Sequence, residues 1–165
     1  MRLLHYLKHT IHFGLYLRRR RPLLLQVYSN VDWVGDRDDY TYTIVFILFL
    51  GGNPISWCSK KQRIVARSST EAEYRVVAST TTKATWVSNL FFELGVTLPQ
   101  SPTIFYDNLN ATHLCVNLIF HSCMKHVALD YHFVREKVVA SFLKVSHIPT
   151  LSQLADVLTK PLFKI

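Results

Sequence analysis

A chain of 165 residues, 49% of them apolar, can build one full core and is short for two, and this composition excludes a disordered chain. Nineteen Lys and Arg stand against 11 Asp and Glu, and no acid precedes Asp32; the net charge of +8 favours a polyanionic partner, nucleic acid first. Three cysteines (Cys58, Cys115, Cys123) without paired spacing argue against a disulfide framework and for a reducing compartment, cytoplasmic or nuclear, and no apolar run approaches the roughly twenty residues of a membrane helix.

In chain order, "MRLLHYLKHTIHFGLYLRRRR" is basic and amphipathic, as mitochondrial presequences are. It lacks their serine richness, and Tyr6, His9, His12 and Tyr16 suit a helix and a strand edge better. Arg18–Arg21 would add non-specific affinity for nucleic acid or serve import. "PLLLQVYSN" (22–30) reads as a strand with both faces covered, and a run of acids (Asp32, Asp36, Asp38, Asp39) follows neutral Asn30. "YTYTIVFILFL" (40–50) reads as a second, buried strand. Gly51-Gly52-Asn53-Pro54 then signals a turn into a third strand at 55–59, a hairpin. The stretch after it reads as a basic loop. Lys60, Lys61, Arg63 and Arg67, with Trp57 before them and Ser68 and Ser69 after, suit contacts to a phosphate backbone. A solvated turn is the plain alternative.

The clearest helix runs from about Thr70 to Leu94, on a stripe of Ala72, Val76, Val77, Thr80, Ala84, Val87, Leu90, Phe91 and Leu94, and Gly95 stops it. Either Thr70 with Glu73 or Ser68 with Glu71 has the spacing of a capping box, and the second choice leaves Glu73 free. "TIFYD" (103–107) is a fourth strand, with a short helix expected over 108–116. A helix is expected over 128–140 with Leu129, Phe133, Val134 and Val138 inward. A fifth strand follows at 142–148, and a final helix over 151–160, capped by Thr150 with Gln153. Three antiparallel strands, then helices alternating with strands, predict an α/β mixed sheet. His121, Cys123 and His126, with Cys115 and His132 near, are a conceivable zinc set, but their spacing matches no common zinc module.

Four polar positions fall at strand ends and helix starts: Asn30, Glu73, Asp107 and Asp156. Carboxylates arriving from several elements are what two-metal phosphodiester hydrolysis needs. Each has a bland reading as well: Glu73 or Asp107 as a cap, Asp156 on a solvated helix face.

"YSNVDWVGDRDD", "FLGGNPISWCSKKQRIVARSSTEAEYRVVA", "YDNLNATHL", "HSCMKHVALDYHFVREKV" and "HIPTLSQLADVLTKPL" together resemble the ribonuclease H domain of copia-type retrotransposon Pol polyproteins. The resemblance covers nearly the whole chain, in order. It implies a ribonuclease H-like α/β fold, a five-stranded mixed sheet flanked by helices, and Mg²⁺-dependent hydrolysis of RNA in RNA–DNA hybrids. Residues 1–22 would be a remnant of the reverse-transcriptase connection, 23–161 the domain and 162–165 a truncated tail. The family's four acids fall on Asn30, Glu73, Asp107 and Asp156, so Glu73, Asp107 and Asp156 would hold two Mg²⁺ ions, and Glu73 would also orient the attacking water. His147, nine residues before Asp156, would help protons or product leave, or be a plain strand-end histidine.

The chain departs from the family at the first acid. The family reads Tyr-Ser-Asp-Ala-Asp-Trp where this chain has Tyr28-Ser29-Asn30-Val31-Asp32-Trp33, and an amide is a poor bridge between two hard cations. "YTYTIV" also replaces a polar run. Asp32, two residues on, would share a face with Asn30 but lie about 6.6 Å further along the strand, so its use as a substitute needs backbone movement. Impaired cutting is therefore the expectation. A non-catalytic nucleic-acid-binding remnant and an unselected open reading frame are the alternatives, and a reverse transcriptase in cis or in trans is the implied protein partner. No membrane partner is implied.

Overall fold

The computed structural model describes residues 2–19, 22–33, 41–66, 68–109, 112–113 and 128–160. A short helix, α1 (Arg2–Thr10), comes first. Strands β1 (Leu25–Asp32), β2 (Thr41–Leu50) and β3 (Asn53–Val65) follow, then the long helix α2 (Ser69–Glu93), β4 (Thr103–Tyr106), α3 (Ala128–Val139) and β5 (Lys144–His147). Two 3-10 turns, Thr150–Ser152 and Leu154–Leu158, end the described chain. The five strands form one sheet in the order β3-β2-β1-β4-β5. β1, β2 and β3 pair antiparallel, while β4 and β5 add on in parallel. The expected α/β mixed sheet is there.

Burial along β1 alternates: Leu25, Val27 and Ser29 are buried and the residues between them only half-buried, so one face is fully covered rather than two. In β2 the consecutive Ile44, Val45 and Phe46 are all buried, which requires cover on both faces. Gly51 and Gly52 join β2 to β3 with φ of 56° and 81°, the positive values a two-residue hairpin turn of the primed kind demands.

α2 closes the first face. Its Ala84 and Val87 pack with Leu25, Val27, Phe46, Leu48 and Ile104, and its Tyr74, Val76 and Val77 with Tyr42, Ile44, Tyr106 and, from α3, Tyr131 and Val134. Glu71 is buried beside this second group, held 2.9 Å from Arg75 one turn on. The pair reaches β2: burial raises the pKa of the Tyr42 hydroxyl, and the Arg75 guanidinium pulls it back down.

Four further expectations need correction. The stretch after residue 59 is not a loop, because β3 continues through Lys60, Lys61 and Arg63 to Val65. The last segment is not an α-helix capped by Thr150: it is two 3-10 turns, and the Gln153 side chain caps the second by accepting from Ala155 N–H. Leu129 points outward, 87% exposed, and Tyr131 takes its place in the core. The α2 stripe loses Leu90 and Leu94 at its C-terminal end, both exposed. Of the two caps left open for α2, Ser68 is the one used: its hydroxyl accepts from Glu71 N–H at 3.2 Å. The helix over 108–116, Asp36, Asp38, Asp39, and His121, Cys123, His126 and Cys115 of the zinc reading lie wholly or largely outside the described residues.

Candidate active site and nucleic-acid edge

Parallel pairing sets Gln26, Val27 and Tyr28 beside Thr103, Ile104 and Phe105. Carrying that register two residues further puts Asn30 level with Asp107, just past the end of β4. Glu73 arrives from the first turns of α2, which Ser68 caps and which Trp33 Nε1, donating to Ala66 O at 3.3 Å, ties to the end of β1. Glu73 is half-buried. Its pKa is raised first by burial, then by the negative charge of Asp107, while a hydrogen bond with the Asn108 side chain works the other way. Glu73, Asp107 and Asn108 thus meet at one end of the sheet. Backbone bonding from Thr112 N to Asn108 O starts the next turn at Asn108, so Asp107 is not required as its cap.

Asn30 comes to the same edge without charge. Its Oδ1 accepts from the next backbone N–H, Val31 N, at 2.7 Å. Asp32, paired with Thr43, lies one pleat beyond the level of Asp107. His147 is the last residue of β5, exposed, and its ladder partner is Tyr106, one residue before Asp107.

Asp156 is placed differently. Gln153 Nε2 donates to Ser29 O on β1 at 2.9 Å, and Ser59 Oγ on β3 donates to Leu158 O at 3.1 Å. The 3-10 turn between these anchors crosses the sheet from β1 towards β3, away from β4. Asp156 rides on it and turns to its own neighbours. The Lys160 ammonium beside it, then the Thr159 hydroxyl, lower the carboxyl pKa below its ordinary value.

Among the described residues, no three His, Cys, Asp or Glu side chains gather closely enough to hold a metal ion. Glu73 and Asp107 with the Asn108 amide are a donor set fit for one divalent cation, since hard oxygen ligands bearing two negative charges suit Mg²⁺. Among the described residues a two-ion set is not assembled, with Asn30 neutral and Asp156 paired to Lys160. Three participants escaped the sequence reading. Lys160 stands four residues from Asp156, a spacing that announces a helical ion pair. Asn108 adjoins an identified acid. Gln153 had been read only as part of a cap, and nothing local marks it as an anchor to Ser29.

Of the basic set, Lys60, Lys61 and Arg63 are exposed on β3, the outermost strand, with Ser68 and Ser69 exposed at the start of α2. Arg67 lies outside the described residues.

No known protein-family profile matches the chain. Retrovirus-related Pol polyproteins do match it: among them, the "Retrovirus-related Pol polyprotein from transposon RE1" of Arabidopsis thaliana is 52% identical over 98% of the chain, and that from transposon RE2 of the same plant is 52% identical over 99%. The chain spans 11% of the length of each. Among solved structures, an LC11 ribonuclease H1 in complex with an RNA/DNA hybrid superposes with a TM-score of 0.60 at 12% identity, covering 81% of this chain and 92% of that one. At that identity the likeness speaks for the fold. The chain is therefore a homologue of one segment of retrovirus-related Pol polyproteins, built on the ribonuclease H fold.

Proposed function

We propose that the chain is the ribonuclease H domain of a copia-type Pol polyprotein, that it binds RNA–DNA hybrid, and that its Mg²⁺-dependent cutting of the RNA strand is impaired at Asn30. One observation carries the reading: the β1–β4 register, carried two residues on, sets Asn30 level with Asp107, which itself meets Glu73, at the position that matches the family's first acid. Hybrid as the ligand is supported by the fold neighbour that was solved with one and by the charge of +8.

Glu73 and Asp107 would hold one divalent ion, whose charge, when bound, offsets that of the phosphate and makes a coordinated water more acidic. Glu73 would also orient the attacking water, and its hydrogen bond with the Asn108 side chain would fix its own orientation. Asn30 would offer an oxygen without charge, which would hold a second divalent ion poorly. His147, exposed at the end of β5 and laddered to Tyr106, one residue before Asp107, would help protons or product leave.

The test is a calorimetric titration with Mn²⁺ of the chain and of its Asn30→Asp form. The substituted form is expected to bind at least about tenfold more tightly, because a hydrogen bond or pairing to a charged group contributes about 1.5–3 kcal/mol. Equal affinity would remove Asn30 from the metal site. A binding domain without cutting is favoured by the bond between Asn30 Oδ1 and Val31 N–H, which occupies the amide oxygen.

A further inference from the structure

Residues directly opposite in neighbouring strands point to the same face. Across β1, β2 and β3 the pairing makes three rows: Tyr28–Ile47–Trp57, Asn30–Val45–Ser59 and Asp32–Thr43–Lys61. Trp57 and Lys61 therefore share a face with Asn30, the face opposite α2. Ser59, between them, is bonded to Leu158 O, so the 3-10 turn sits over the middle row and leaves Trp57 and Lys61 on its two sides. Trp57 is 56% exposed, a large aromatic surface on an outermost strand. Beyond Lys61 the pairing shifts register between Thr43 and Thr41, and Arg63, exposed, lies in the shifted stretch. From residue 40 to 70 the chain holds Lys60, Lys61, Arg63 and Arg67 and no acid.

We infer that this face of β3 is a docking edge for a single strand of nucleic acid, with Trp57 stacking on an unpaired base and Lys61 and Arg63 meeting phosphates. The chemistry selects the ligand. An acid-free basic strand demands a polyanion, and an exposed indole in line with the ammonium groups offers a platform to a base whose face is not already stacked in a duplex. Lys61 lies four residues from Trp57, about 13 Å along an extended strand, which spans more than one nucleotide. Hydrogen-bonded readout of base identity is not part of it, so binding is sequence-tolerant. The inference rests on the reading of the chain as a nucleic-acid-binding domain and adds to it a second ligand state: a strand leaving, or lying beside, the hybrid.

The experiment is binding of a fluorescein-labelled oligothymidylate to the whole chain in chelator, beside an RNA–DNA hybrid of the same length, over a series of salt concentrations. Trp57→Ala is expected to weaken oligothymidylate binding about 5- to 150-fold, the range for loss of one stacked base, while Trp57→Phe keeps most of it. Lys61→Ala should flatten the salt dependence by about 0.7 in log–log slope, the value for one contact to a single strand. Leu129→Ala, on the exposed side of α3, should change neither. If Trp57→Ala binds oligothymidylate as the parent does, or if the parent binds hybrid but no single strand, the inference is overturned and the hybrid reading stands. Binding of the single strand with these losses, and none of the hybrid, supports the edge and contradicts the hybrid reading instead. Trp57→Phe, which preserves an aromatic side chain, keeps the test open should the alanine form melt without cooperativity.

Discussion

At Glu73 burial and the charge of Asp107 act in the same direction, both disfavouring ionisation, and only Asn108 opposes them. The folded pKa therefore lies above the ordinary 4.5, and the native state holds a proton more tightly than the unfolded one. Stability from this group is fully present below pH 4.5 and is lost as pH rises through the raised value. Glu73→Gln removes the loss. In chelator, the glutamine form is expected to melt at a higher temperature than the parent at pH 7, with the gain shrinking towards pH 4; a difference independent of pH would contradict the placement of Glu73. Asp156 has the opposite sign, its pKa lowered by Lys160, so its contribution is present at neutral pH and lost on acidification below 3.8. That contribution is small, since Lys160 is largely solvated. The places of Glu73 and Asp107 at a helix start and a strand end were legible in the sequence, but each also reads as a cap, and it was the resemblance that set them together. The pairing of Asp156 with Lys160 was not legible, because the turn that carries Asp156 is shaped by anchors to Ser29 and Ser59, far away in sequence.

Among the elements, α2 was read nearly to the residue, since its period and its Gly95 stop are local signals. Which serine or threonine capped it was open, and the structure chose Ser68. Ser68→Ala is expected to lower stability by about 1 kcal/mol, read from the shift in denaturant midpoint, while Thr70→Ala should leave it within about 0.5 kcal/mol. Equal losses would mean that Thr70 shares the cap. β3 was cut short in the sequence reading because Lys60-Lys61-Gln62-Arg63 looks like a loop. An outermost strand welcomes charges that would be excluded from a central one, since they blunt its open edge. The last segment was expected as an α-helix. It is pinned to Ser29 at one end and Ser59 at the other, contacts between residues far apart in sequence, and such tertiary anchors override local helix propensity.

For the molecule as a whole, the surplus of positive charge and the sheet order point to one arrangement. β3, with its lysines, lies at the outer limit of the sheet, and the carboxylates lie where β1 and β4 end, one strand beyond β2. A polyanion attracted by the first would pass the second. Nothing in composition reveals that layout, which depends on register; the order of strands and helices did reveal the fold, through its alternation. The measurement that bears most directly on the central claim is cleavage of a labelled RNA–DNA hybrid in Mg²⁺ by the chain and by its Asn30→Asp and Asn30→Asp/Glu73→Gln forms. The account expects a cut RNA strand from Asn30→Asp at a rate at least about 10²-fold above the parent, on the scale of one electrostatic group at a reacting centre, and none above background once Glu73 is also replaced. Cutting by the parent at the rate of Asn30→Asp, or no cutting by a folded Asn30→Asp chain that binds hybrid, would contradict it.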